Sequence, residues 1–247
     1  MMLSLLLTAA VAIGQAPPAP VVLPTAEISS PAPREAALTL ARLLNSEASI
    51  IGDGDDDTKV VSLIRQLAEG EPELVSLERK HPGLMKAMAS AILPIINRSE
   101  RERLPELQRR QAILYGSTFN DADLMTLIDF YSSPTGQKLI AIMNDAVRPN
   151  AMLAEMTASP DLKISPASVL KDIAAVKPEL AKQMTAEDQE ILTVFGKSGL
   201  IPRIEAVAPK TQAIALAWYD ENAPWEEAET EKALASVLNE FGIGDDE

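Results

Sequence analysis

The sequence predicts an all-α fold, an antiparallel helical bundle or set of hairpins, within which two helical units can be related. Three observations predict it. Hydrophobic residues make up 47% of the chain but aromatics only 4%, so Ala, Leu, Ile and Met supply the apolar mass. Strand positions prefer β-branched and aromatic side chains, and this composition suits helices better. From Arg34 onward apolar residues recur at helical spacing: Ala37, Leu40, Ala41 and Leu44, then Val60, Leu63, Ile64 and Leu67. No alternation of apolar and polar residues runs long enough for a strand. With 247 residues the chain can bury a substantial core.

Taken in order, residues 1–19 read as an export signal. "LSLLLTAAVAI", residues 3–13, is an unbroken apolar or small-residue run, too short to span a bilayer as a stable helix. Gly14 and Ala16 follow at the spacing a signal peptidase requires. No Lys or Arg precedes the run, Pro17 is a poor residue after a cut, and no cysteine follows for lipid attachment. The alternative is a buried N-terminal helix. Residues 20–33 form a Pro/Ala-rich linker within "PPAPVVLPTAEISSPAP", where prolines remove donors and force extended backbone. A first helical unit is expected over 34–157 and a second over 165–241, with 158–166 and its two prolines between them. Breaks fall at "GDGDDD", "EGEP", "HPG", "SSPTG", "TASPDLKISP" and "ENAPW".

Charge and composition exclude several classes of function. Lys and Arg number 22 against 36 Asp and Glu, a formal charge of −14. Such a chain is repelled by nucleic acid and by anionic lipid surfaces, so neither is expected as a partner. Without cysteine there is no disulfide, thiolate nucleophile or Cys-based metal site. The one histidine, His81 in "RKHPGL", leaves no room for a multi-His metal site. Pro82 places His81 at a helix boundary, where it reads as an exposed surface residue. "DGDDDTKVVSLI" offers Asp53, Asp55 and Asp57 in the first positions of a calcium loop. Thr58 stands where the turn needs Gly and Ile64 where it needs a bidentate Glu, so no metal and no cofactor is expected. The loop reads instead as acidic capping of the next helix.

The most informative stretch is "FNDADLMTLIDFYSSPTGQKLIAIM". Asn120 is a good N-cap, and Asp123 three residues later completes a capping box. Phe119 before the cap and Leu124 after it are placed as a hydrophobic staple. Leu124, Leu127, Ile128 and Tyr131 share one face. Pro134 ends this helix by disfavouring helical backbone at Ser133. Ser133 can cap the next helix, with Pro134 at its first position. Leu139, Ile142, Met143 and Ala146 then form one apolar face. Gly136 costs about 1 kcal/mol relative to Ala inside a helix, so another backbone or a bulky ring is expected to approach it. The helix start at Thr135, Gly136 and Gln137 carries free donors, and Lys138 adds a cation. Tyr131, Ser133, Gly136, Gln137 and Lys138 are therefore a candidate anion-binding set. The competing reading is a structural corner, with Lys138 lying across Tyr131 and reaching solvent or an acidic side chain. "GQKL" has no Gly five residues ahead of Gly136, so it is not a phosphate-binding loop. No catalytic residue set is apparent.

On Phe119, Phe130, Tyr131, Ser133, Pro134, Gly136 and Lys138 this stretch resembles a bacterial family of uncharacterised exported proteins, the domain of unknown function numbered 2059. The resemblance covers residues 104–149. It implies an all-helical, secreted or periplasmic protein and implies no reaction. Downstream, "MTAEDQEILTVFGKSGLIPRI" can be laid on the same pattern. Thr185 falls on Asn120, Asp188 on Asp123, Leu192 on Leu127, Phe195 on Phe130, Ser198 on Ser133 and Arg203 on Lys138. A repeat of this kind makes the protein a pair of related hairpins; the alternative is a chance likeness between amphipathic helices.

These readings lead to an exported, periplasmic or secreted helical module without enzymatic activity. Its expected partner is an envelope or periplasmic protein, and no stable membrane span is expected after signal cleavage. The alternative is a periplasmic small-ligand carrier or hydrolase with a pocket between helices. Export is directly testable. Intact-mass analysis should find a mature chain beginning between residues 16 and 21, and a soluble cytoplasmic protein retaining Met1 would refute it.

Overall fold

A computed structural model describes residues 33–51, 72–146 and 182–243. The signal run, residues 20–32 of the linker, the acidic loop at 53–64 with the helical run after it, and the boundary at 158–166 lie outside the described residues. So do the side chains of Met143 and Ala146. The described residues form helices α1 (Glu35–Leu44), α2 (Glu47–Ile50), α3 (Pro72–Lys80), α4 (Leu84–Thr118), α5 (Asp121–Ser132), α6 (Pro134–Ala146), α7 (Ala186–Gly196), α8 (Ile201–Tyr219) and α9 (Glu226–Glu240). No strand occurs among them, so the fold is all-α as expected.

The spine is α4, 35 residues and about 52 Å long. It begins where "HPG" breaks the chain. Gly83 adopts φ +94°, a left-handed conformation that suits glycine. The Glu78 carboxylate accepts from the backbone N–H groups of Gly83 (2.9 Å) and Met85 (2.8 Å), capping the helix start. His81 sits at this boundary as expected, but it is half-buried rather than exposed. Its ring lies edge-on to Phe241, 6.5 Å between centroids, a contact too distant in sequence to anticipate.

Helices α1, α8 and α9 pack along α4, and α5 packs on α1 and α6. The four α1 residues picked out by periodicity, Ala37, Leu40, Ala41 and Leu44, are all fully buried. They join Tyr115 and Phe119, the α5 residues Leu124, Leu127, Phe130 and Tyr131, and Phe195 and Ile204 of α7 and α8 in one cluster. Each buried leucine contributes about 1.5–3 kcal/mol. Asn45, Gln111 and Tyr115 form a buried polar group within it. The Gln111 Oε1 atom accepts from Asn45 Nδ2 (2.8 Å) and from the Tyr115 hydroxyl (2.9 Å). Left unpaired, each such group would cost about 1–3 kcal/mol. A second cluster, Leu104, Leu107, Ala215 and Trp218, fixes α8 to α4. There the Trp218 Nε1–H donates to the Arg103 carbonyl (3.0 Å), and Arg103 donates to the Trp218 carbonyl (2.7 Å).

The break between α5 and α6 is built as the sequence predicts. Asn120 and Asp123 make both bonds of the capping box. Ser133 is extended at ψ 158°, and its Oγ accepts from the Gly136 N–H at 3.1 Å. The same hydroxyl donates to the Phe130 carbonyl at 2.6 Å. Gly136 faces the end of α5 so closely that an added Cβ would stand 2.1 Å from the Phe130 carbonyl oxygen. It would also stand 2.7 Å from the Tyr131 Cα. The approaching group is therefore backbone, which cannot step aside as a side chain can.

Gly136→Ala should accordingly destabilise the protein although alanine is the better helix former. Overpacking costs roughly 1–3 kcal/mol against about 1 kcal/mol gained in propensity. A lower urea midpoint is the expected result; a midpoint at or above that of the wild type would mean α5 and α6 separate easily.

Candidate functional site

The second polar break repeats the construction of the first. Thr185 caps α7: its Oγ1 accepts from the Asp188 N–H (3.2 Å), and Asp188 accepts from the Thr185 N–H (2.9 Å). Asp188 therefore holds the capping-box place that Asp123 holds in α5. After α7, Gly199 turns the chain at φ +75° and α8 begins with Pro202 in its first turn.

The two units meet through equivalent residues. Phe130 and Phe195 stack with centroids 3.9 Å apart and planes 11° from parallel. Lys138 of the first unit reaches Asp188 of the second at 2.7 Å. Arg203 of the second reaches Asp123 of the first through two bonds of 2.5 and 2.6 Å. In the register that lays Thr185 on Asn120, each unit gives its cation to the other's capping carboxylate. Such reciprocity is what a twofold interface between identical subunits produces. Here the reciprocal contacts join two segments of one chain, on either side of the phenylalanine stack.

Both carboxylates are shifted accordingly. The Lys138 ammonium, with donors from Thr185 and Thr135, holds the Asp188 carboxyl well below the usual carboxylate range. Thr135 Oγ1 donates to Asp188 Oδ1 at 2.8 Å and Thr185 Oγ1 to Oδ2 at 2.9 Å. The Arg203 guanidinium lowers Asp123 in the same sense.

The candidate anion set falls in this region, with its polar groups engaged by the chain itself. Tyr131 is buried, its phenol pushed up by burial, and its carbonyl accepts from Gln137 Nε2 at 2.6 Å. The Gly136 N–H is bound to Ser133 Oγ, and the Gln137 N–H to the Ser133 carbonyl at 2.9 Å. Lys138 meets Asp188, so an external anion at this hinge would have to displace the chain's own carboxylate. Phe119 and Phe130 are buried, and Pro134 opens α6.

What sequence reasoning missed is a groove beside the phenylalanine stack. Its volume is about 520 Å³, and it opens to solvent. Thr126, Asp129, Phe130 and Ser133 line one side; Glu190, Ile191, Val194, Phe195 and Ser198 line the other. Eight of these nine fall in four pairs in the register that lays Thr185 on Asn120: Thr126 with Ile191, Asp129 with Val194, Phe130 with Phe195 and Ser133 with Ser198. The repeat register was the signal that could have located it. Met125 and Val194, 51% and 65% exposed, are the large apolar side chains standing in solvent among the described residues. Met125 is one turn before Asp129, and Val194 is in the wall itself. The stacked rings and Ile191 give the groove an apolar floor, and Asp129 and Glu190 give it negative charge. Among the described residues no group of three or more His, Asp or Glu is placed to hold a metal ion. No helix among them is long and apolar enough to cross a membrane.

Residues 105–159 match the model of a family described as an uncharacterized protein conserved in bacteria, DUF2059. The match takes in the end of α4, α5, the hinge and α6, and it stops before α7. No curated protein and no solved structure matches the chain.

The acid side of stability tests the exchange of charges. A carboxyl lowered by folding contributes stability above its unfolded value, near about 3.9, and that contribution is lost as pH falls through its lower folded value. Asp188→Asn should therefore unfold at lower urea than the wild type at about pH 7, with the gap narrowing at about pH 3. A gap that stays constant over this range would show that the charge at Asp188 contributes nothing.

Proposed function

We propose that this chain, with its DUF2059 segment, is an exported helical module that holds a partner protein of the cell envelope or periplasm and carries out no reaction of its own. One observation carries the reading: an open apolar groove floored by Phe130 and Phe195, with Met125 and Val194 exposed beside it. Exposed apolar surface next to a preformed concave site is characteristic of surfaces that partners cover. The apolar N-terminal run ahead of small residues supports export, and the absence of cysteine is compatible with any redox environment.

Photo-crosslinking in intact cells tests this. A photoreactive residue at position 125 or 194 should yield a discrete protein adduct in the periplasmic or secreted fraction. The same residue at Lys232, exposed on α9, should not. Equal adducts at all three positions, or none at 125 and 194, would defeat the groove as a docking site. An adduct of small-molecule mass would favour a carrier instead.

A further inference from the structure

Resting on that reading, we infer that the segment held in the groove is basic as well as apolar: an apolar side chain flanked by Lys or Arg. The wall residues Asp129 and Glu190 are exposed, and neither joins an ion pair among the described residues. The cations at the phenylalanine stack, Lys138 and Arg203, are already engaged, as are several on α4. Arg98, Arg101, Arg110, Lys138 and Arg203 already pair with carboxylates of the chain. Among the described residues, the one further cation beside the lining along the chain is exposed Lys197, next to Ser198, a single charge against two carboxylates, so a bound segment can supply countercharge.

The placement of the two carboxylates sharpens the point. Met125 and Asp129 lie four residues apart on α5, and Glu190 and Val194 four apart on α7, so each pair shares a helix face. In the repeat register Asp129 is the counterpart of Val194, and Met125 of Glu190. The α7 wall thus offers Glu190 and Val194, while the α5 wall offers Asp129, with exposed Met125 one turn before it outside the lining. An occupant satisfying both walls needs apolar surface for the stacked rings and cations beside it. The formal charge of −14 draws such a segment in and opposes a second copy of this acidic chain.

Selection of a random-peptide display library on the purified protein tests the inference. Enriched peptides should combine Phe, Leu, Ile, Met or Trp with neighbouring Lys or Arg. Their binding should fall roughly tenfold in the double variant Asp129→Asn, Glu190→Gln and weaken as salt rises. It should be lost in Val194→Lys. All three positions are exposed, so folding should persist, as circular dichroism can verify. Enriched peptides that lack basic residues and bind the double variant equally, yet are lost in Val194→Lys, would overturn the basic occupant and leave the groove reading intact. Binding indifferent to Val194→Lys would overturn both. So would failure to enrich any peptide, or self-association in sedimentation that Val194→Lys abolishes.

Discussion

The stack of Phe130 on Phe195 is the contact on which the arrangement of the two units depends. It brings together the ends of α5 and α7, and from there each unit extends its second helix. An aromatic pair of this geometry adds about 0.5–1.5 kcal/mol beyond the area it buries. The flanking charge pairs add less: half-exposed pairs contribute roughly 0.2–1 kcal/mol each. Their cationic side chains keep 35% exposure at Lys138 and 43% at Arg203. Apolar burial thus supplies the energy of association, and the charges supply register. Phenylalanine rings can stack in several relative positions, but a carboxylate fixed at a helix N-terminus can meet a given lysine or arginine in only one.

That carboxylate has two tasks at once. Asp123 and Asp188 each satisfy a backbone donor at the opening of their own helix, where the helix dipole already favours an anion. Each then receives a cation from the other unit. Lys138 is poorly placed for its own helix, since the N-terminal end of α6 repels positive charge. Its position makes sense once Asp188 is beside it. A local preference is overridden by a contact made between units, and the same contact ties the start of α7 to the corner between α5 and α6. The Gly136 approach acts in the same corner: it lets the first turn of α6 lie against the Phe130 carbonyl and so sets where Lys138 emerges.

Much of this was legible in the sequence because it is local. The capping boxes, Ser133 as a cap, Pro134 at a helix start and the close approach at Gly136 all follow from residues within one or two turns. The burial of Leu124, Leu127 and Tyr131 followed from helical spacing, and that of Phe130 and Phe195 from their matching places in the two segments. The sequence alignment that lays Asp188 on Asp123 and Arg203 on Lys138 named all four residues, but the exchange of charges between them was not legible. Equivalence says what two segments share and not how they dock, and each exchanged pair joins residues far apart along the chain. The half-buried His81 was missed for the same reason, since its partner Phe241 lies near the other end of the sequence. The groove was missed because several of its walls are positions where the two units differ.

Those differences follow a rule of their own. Around the phenylalanine stack the two segments carry matching groups: a phenylalanine, and an acid and a base in each. On the face that meets solvent the match is replaced by a swap, acid for apolar at two positions. In a twofold arrangement each contact recurs between the counterparts of its two partners, as the two exchanged charge pairs do. An outward surface is under no such constraint. Had the apolar choice been made at all four positions, the groove would carry a continuous apolar patch prone to self-association. Had the acidic choice been made throughout, charge repulsion would oppose closure of the two units over the phenylalanine stack. One acid and one apolar residue on each helix keeps the floor open while discouraging a second acidic copy from covering it. The surface left by that compromise favours an occupant that brings positive charge with its apolar side chain.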